Sequence, residues 1–412
     1  MKNNKLSPLV MLLMIITLFS ACQPDGAKLK DGRWRGEFIL PEYKIPFIFE
    51  VSDARKDHAI AYLLNGAERF PLKNISYRND SVIIPVDLYD AVFAGKLIGN
   101  TLTGKFRKLN SEPPGSGITF IAVAGEAPRF SGNDALPVAK LDGTWDIRIG
   151  SGDQTDVTVG NFEQKEAILT GSILTTTGDY RYLEGVVHGN KFQLSAFSGS
   201  SPYLVQGEFT SDTTFTGEFV TTRKSSKMEG KRNPKAALAD PYSFSKMKEG
   251  FSKIEFSFPN LEKIPVSLND SRYKGKVVIV SILGSWCPNC MDETAFLAPW
   301  YKENKDRGIE IIGLAFERKN DFDFAKRTLS RLKERFDIKY EILFAGLAGT
   351  DQASKALPAL SGIAAFPSTI FIDKKGNVRK VHTGFSGPAT GKFYQEFKDE
   401  FSGLVNELVA EK

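Results

Sequence analysis

Two cysteines stand two residues apart in Gly284-Ser285-Trp286-Cys287-Pro288-Asn289-Cys290. On the first turn of a helix such a pair can close a reversible disulfide with little rearrangement. The unpaired N–H groups and the dipole there stabilise a thiolate, which makes the leading cysteine a nucleophile. Pro288 suits that turn, where its missing N–H costs nothing. Half a zinc site and an inert structural disulfide are the competing uses of the spacing. Zinc needs two more ligands, yet the sole remaining cysteine is Cys22 and the nearest histidine in sequence is His382, so no metal is expected. An inert disulfide would need neither a strand before it, nor a helix after it, nor Trp286 beside it. The chemistry expected is therefore dithiol exchange: Cys287 attacks a disulfide and Cys290 resolves the mixed disulfide. No cofactor is expected.

The elements around this motif must hold it. Val277-Val278-Ile279-Val280-Ser281-Ile282-Leu283 is an apolar, β-branched run of the kind that forms a buried central strand, and residues 291–304 read as a helix. Residues 309–316 form a second strand. Asp321 can cap a helix with Phe322, Ala325, Leu329, Leu332 and Phe336 on one apolar stripe, its Lys326 to Arg335 run being a solvated face. A strand at 340–344, a helix at 351–360, a hairpin around Lys374-Lys375-Gly376-Asn377 and a final helix carrying Phe393, Phe397, Phe401, Leu404 and Leu408 complete a mixed sheet flanked by helices.

Trp286-Cys287-Pro288-Asn289-Cys290, Phe366-Pro367-Ser368-Thr369, Phe371-Ile372-Asp373 with the Gly376 turn, and Glu293 follow one another in an order that resembles the TlpA/ResA-like thiol:disulfide oxidoreductases of the thioredoxin superfamily. The resemblance spans residues 255–410. It implies an α/β thioredoxin-like domain, Cys287–Cys290 as the redox disulfide, a cis bond before Pro367 against the sulfurs, and Glu293 as an acidic catalytic residue. An X-Pro bond tolerates cis at only ~0.5–1 kcal/mol. It would turn the backbone of Ala365 and Phe366 toward the sulfurs, where Trp286, Phe366 and Pro367 offer an edge to an extended substrate. Glu293, partly buried on the redox helix, would have a raised pKa and take the Cys290 proton. The chain departs from the pattern at Ser281, where thioredoxins carry a buried Asp, and at Ala295, where relatives have a helix-kinking Pro. Protein disulfides are the implied partners, and a reducing role would require a membrane electron donor. His382 and Glu317 are expected to be structural.

Before this domain the chain repeats itself at a spacing of 111 to 113 residues. Asp31-Gly32-Arg33-Trp34 recurs as Asp142-Gly143-Thr144-Trp145, Asn65 to Phe70 as Thr177 to Tyr182, and Gly104-Lys105-Phe106 as Gly217-Glu218-Phe219. Period-two alternation marks both copies as strands, and Pro85 makes residues 82–86 an edge strand. The reading is two tandem antiparallel β modules, sandwich or barrel-like, at 31–136 and 137–225, then a linker at 226–245 and the thioredoxin-like domain at 246–412. Trp34 and Trp145 are expected to plug each core, and His58 and His188 to be ordinary surface or turn residues.

Lys2 and Lys5 precede an apolar run and then Ser20-Ala21-Cys22, the layout of a secretory signal over residues 1–21. The stretch resembles a lipobox, with Phe19 in place of the usual Leu. It implies lipidation of Cys22, a tether at 22–30, anchorage to a bilayer and an extracytoplasmic, periplasmic location. Charge supports no nucleic-acid role: of the formal +5 over 412 residues, the two signal lysines supply +2. A peroxiredoxin would need a Thr that Gly284-Ser285-Trp286 does not supply. A lipoprotein whose β modules capture a polypeptide or glycan, with the dithiol secondary, is the other alternative.

Overall fold

The computed structural model describes residues 28–56, 58–109, 116–131 and 135–412. The signal segment and Cys22 lie outside these residues.

Both copies of the repeat begin with the same device. Trp34 donates its indole N–H to the Lys30 carbonyl at 2.9 Å and Trp145 to the Leu141 carbonyl at 2.7 Å, each four residues back. Asp31 accepts from the Ala54 N–H and Asp142 from the Gln164 N–H. Both indoles are 0% exposed, so a large apolar ring with its one polar atom satisfied seals each module.

From that start each copy winds a nine-stranded antiparallel sheet. In both, the first strand (Gly32–Ile39 or Gly143–Ser151) pairs with the second and with the last. The copies differ at one seam. In the second, Ile168–Thr175 pairs with both Gln154–Lys165 and Leu183–His188, which closes an eight-stranded barrel. In the first, Ser76–Arg78 is three residues long and pairs with Ser81–Val86 alone, so the barrel stays open. Pro85 lies beyond that short partner, on the unpaired side of its strand.

The second copy fills the gap. Phe197 packs its ring 4.8 Å from Phe38 and 5.1 Å from Phe106, inside the first module's aromatic core. Its backbone exchanges two hydrogen bonds with the buried Asn65 side chain. Tandem modules are thereby welded through shared core.

The linker expected at 226–245 begins with a strand instead. Ser225–Arg232 lies between Gly143–Ser151 and Thr214–Val220 and completes the barrel. Its sequence, Ser-Ser-Lys-Met-Glu-Gly-Lys-Arg, sends only Met228 and Gly230 inward, too little apolar alternation to read as a strand. Gly230 is required, since a Cβ there would sit 2.1 Å from the Phe215 ring.

The last third is a five-stranded mixed sheet ordered Glu341–Leu347, Ile309–Glu317, Val277–Leu283, Ser368–Ile372, Val378–Thr383, the first three parallel. Helices α1 (Pro288–Asn304), α2 (Phe322–Arg335), α3 (Thr350–Ala356) and α4 (Lys392–Ala410) flank it. Val277–Leu283 is buried at every position, as its unbroken apolar run requires. Asp321 caps α2 through the Phe324 N–H at 2.7 Å, and α1 runs unbroken past Pro299.

The basic run of α2 is not wholly solvated. Arg331 binds Asp90 at 2.5 Å and the Asp87 carbonyl at 3.0 Å, and Arg335 lies over the Phe70 ring at 4.6 Å. Thus α2 docks on the first module, a contact that helix periodicity alone does not reveal. Among the described residues, no helix is long and apolar enough to cross a membrane.

Candidate active site

Val277–Leu283 ends in a loop that the neighbouring strand holds from beneath. The Glu317 carboxylate accepts from the Ser285 N–H at 2.9 Å and from its hydroxyl at 2.7 Å. Trp286 donates its indole N–H to the Phe316 carbonyl at 2.9 Å. Burial pushes Glu317 up to about 7, against the pull of both Ser285 bonds. Through these two bonds Glu317 fixes the loop before Cys287, a task that could not be read from a lone acid at the end of a strand.

Cys287 is the N-cap of α1 and forms a disulfide with Cys290. Its sulfur accepts the Cys290 N–H at 3.2 Å, so a backbone donor from the first turn already points at the atom that would carry thiolate charge. Phe366–Pro367 is cis, and the Phe366 carbonyl oxygen lies 3.6 Å from the Cys287 sulfur. The Phe366 ring packs 5.5 Å from Trp286 and 5.9 Å from Phe316. Trp286, Cys287, Cys290, Phe366 and Pro367 therefore converge on one spot.

Glu293 lies one turn below the disulfide and is 1% exposed. Ser281 donates to one carboxylate oxygen at 2.7 Å and Thr369 to the other at 2.6 Å. Those hydroxyls are cross-strand partners. Burial raises Glu293 to about 7, and the two hydroxyl bonds oppose the rise. A buried carboxylate of α1 thus reaches position 281 of the central strand, with Ser281 as its donor.

His382 is buried, bonded through Nδ1 to the Gly384 carbonyl, and lowered to about 4 by that burial. It packs against Tyr242 and Phe397, a core histidine. Among the described residues, no cluster of His, Cys, Asp and Glu could hold a metal ion.

One part of the site had no reading in the sequence. The hairpin at 175–182 of the second module presses on the residues between the cysteines. With its amide nitrogen turned to the Asp179 carbonyl, Asn289 donates there at 3.1 Å and accepts from the Asp179 N–H at 3.3 Å. Gly178, at φ +150°, leaves room for that amide, since a Cβ would lie 2.6 Å from its side-chain carbonyl carbon. Next to it, Arg181 donates to the Pro288 carbonyl at 3.2 Å and pairs with Asp292 of α1 and with Glu68 of the first module. Burial disfavours its charge, but Asp292 and Glu68 more than offset that and hold it protonated. One guanidinium joins both β modules to the redox helix. The repeat pattern aligns Arg181 near Arg69, but its partners stand 113 and 111 residues away in sequence.

Residues 248–394 match the Redoxin family. The chain is 28% identical over 135 residues to the thiol-disulfide oxidoreductase ResA of Halalkalibacterium halodurans, over 33% of this chain and 68% of that protein. It is also 28% identical over 135 residues to ResA of Geobacillus thermodenitrificans, over 33% and 69%. Among solved structures, a thioredoxin-family thiol:disulfide interchange protein from Chlorobium tepidum aligns at 21% identity and TM-score 0.29, covering 40% of this chain and all of that one. A thiol-disulfide oxidoreductase from Bacteroides fragilis aligns at 19% and TM-score 0.27, covering 36% and 99%. These matches support reading the last third of this chain as a TlpA/ResA-like thiol:disulfide oxidoreductase domain of the thioredoxin superfamily.

Proposed function

We propose that Cys287 and Cys290 are the exchanging pair, acting as a reductant of protein disulfides outside the cytoplasm. The observation that carries this is the Cys287 sulfur at the N-cap of α1, accepting the Cys290 N–H. In the reduced enzyme the Cys287 thiolate attacks one sulfur of a substrate disulfide and expels the other as a thiolate. Cys290 gives its proton to Glu293 and attacks Cys287, which releases the second substrate thiolate and leaves Cys287–Cys290 oxidised. Trp286, Phe366 and Pro367 form the platform on which the substrate chain lies. Two electrons have moved to the substrate, so a membrane donor must restore the dithiol. Acylation of Cys22 would keep the enzyme at that membrane. The β modules then support the redox domain rather than act as independent ligand-capturing units, a role consistent with Arg181 and Asn289 tying them to α1.

The test is covalent trapping. Cys290→Ser should hold substrate proteins on Cys287 through a mixed disulfide that persists on non-reducing gels, because the resolving thiol is gone. Cys287→Ser should hold none and should not reduce insulin or hydroxyethyl disulfide. Equal trapping by the two variants would refute the assigned order.

A further inference from the structure

A cleft of about 620 Å³ opens where both β modules meet the redox domain, and Trp286 and Pro288, the neighbours of Cys287 on either side, form part of its wall. Arg107 and Lys108 enter from the end of Thr101–Lys108, Arg223 from the turn before Ser225–Arg232, and Arg318 from the residue after Ile309–Glu317. Among the described residues, no Asp or Glu lines this space. Glu317 adjoins Arg318 in the chain but is buried and turned onto Ser285. Arg318 lies over the Trp286 ring at 5.3 Å, which places one of the cleft's three arginines on the platform beside the disulfide.

Like charges gathered in one cleft repel one another and raise the local concentration of anions. Burial chiefly, with Arg318 and Arg223 adding, lowers Lys108 to about 8. Arg318 is lowered by burial too, with Glu317 opposing and Arg223 adding. Three separate parts of the fold supply these groups, so their meeting depends on the docked arrangement and does not follow from any one basic run.

We propose that this cleft receives an acidic segment of the polypeptide substrate, flanking the disulfide presented to Cys287. The proposal rests on the exchange reading above and adds a selectivity to it. A chain lying on Trp286 and Phe366 would extend past Arg318, and carboxylates there would meet Arg107, Arg223 and Arg318 in a partly desolvated site, where charge pairing chiefly sets encounter rate and partner choice.

The experiment uses the chain from residue 22 in its reduced form. Its substrates are three peptides carrying the same disulfide flanked by glutamates, by lysines, or by glycine and serine, with hydroxyethyl disulfide as an uncharged reference. The acidic peptide should exceed the basic one in kcat/KM by about tenfold or more, and the gap should shrink as salt rises. Arg107→Gln combined with Arg223→Gln should remove most of the gap and leave hydroxyethyl disulfide turnover unchanged. Equal rates on the three peptides, or a preference insensitive to both salt and the double variant, would overturn the proposal. So would binding to phosphatidylserine vesicles that needs Arg107 and Arg223 without any peptide preference, since the cleft would then belong to a membrane surface. Failure of the wild-type chain to reduce hydroxyethyl disulfide would sink the exchange reading, and this proposal with it.

Discussion

Glu293→Gln should slow the resolving step by about 10²–10³-fold near neutral pH, the range expected when a positioned proton acceptor is lost. The glutamine keeps the shape, accepts from one of the Ser281 and Thr369 hydroxyls through its oxygen and donates to the other through its NH2, so a rate loss with intact folding isolates the titrating group. Rapid-mixing measurement of mixed-disulfide decay checks it, and the wild-type rate should rise with pH through about 7 while the variant loses that inflection. Stability gives a second readout. The folded-state pKa of Glu293 is raised from an ordinary 4.5 to about 7, so between those values the native protein holds a proton that the unfolded chain has released. Stability must therefore fall as pH rises through that window and level off above it, by roughly 3 kcal/mol for this group alone. Urea unfolding from pH 4.5 to 8 should show a shallower fall in Glu293→Gln. Asp292 and Glu317, both raised to about 7, keep the slope from vanishing.

Arg181→Ala should cost about 3–5 kcal/mol, the usual penalty for removing one partner of a buried ion pair. It leaves Glu68 and Asp292 facing each other with side chains only 9% and 15% exposed. Burial pushes Asp292 up and Asp179 and Glu68 add to the push, with Arg181 the main opposing charge. Without Arg181, the charge that holds Asp292 down, Asp292 stays protonated to above about pH 7 and that relieves the repulsion, so the penalty should be smaller below that pH than above it. Because Arg181 also holds the Pro288 carbonyl, the redox helix loses a tie to the modules. Limited proteolysis should then cut between the second barrel and the redoxin domain well before either unfolds. A stability change below about 1 kcal/mol with unaltered proteolysis would show that the three-way cluster does not fasten the modules.

The parts of this protein that were legible in the sequence are those whose partners lie close along the chain. Cys287 and Cys290 share one helical turn, Pro288 and Asp321 mark helix starts, and the unbroken apolar run 277–283 can only be a buried strand. Repetition gave the tandem modules because identical turn and tryptophan positions recur at one spacing. The strand Ser225–Arg232 was hidden, since it closes a barrel with one methionine and one glycine facing inward. The placement of Phe197 inside the other module's core was hidden as well, because a period-two pattern says which face is buried and never against what. Most of the charged architecture around the disulfide falls in this second class. Arg181, Arg331 and the cations of the cleft look like ordinary surface residues until the docking of three units makes them neighbours.

The claim on which the mechanism stands is that a helix start acidifies the Cys287 sulfur. It is tested most directly by the rate of iodoacetamide alkylation of Cys287 in the reduced protein as a function of pH. The account predicts a midpoint well below the ~8.5 of a free cysteine, with Cys290 unreactive in its fully buried place. A midpoint at or above that value would contradict it.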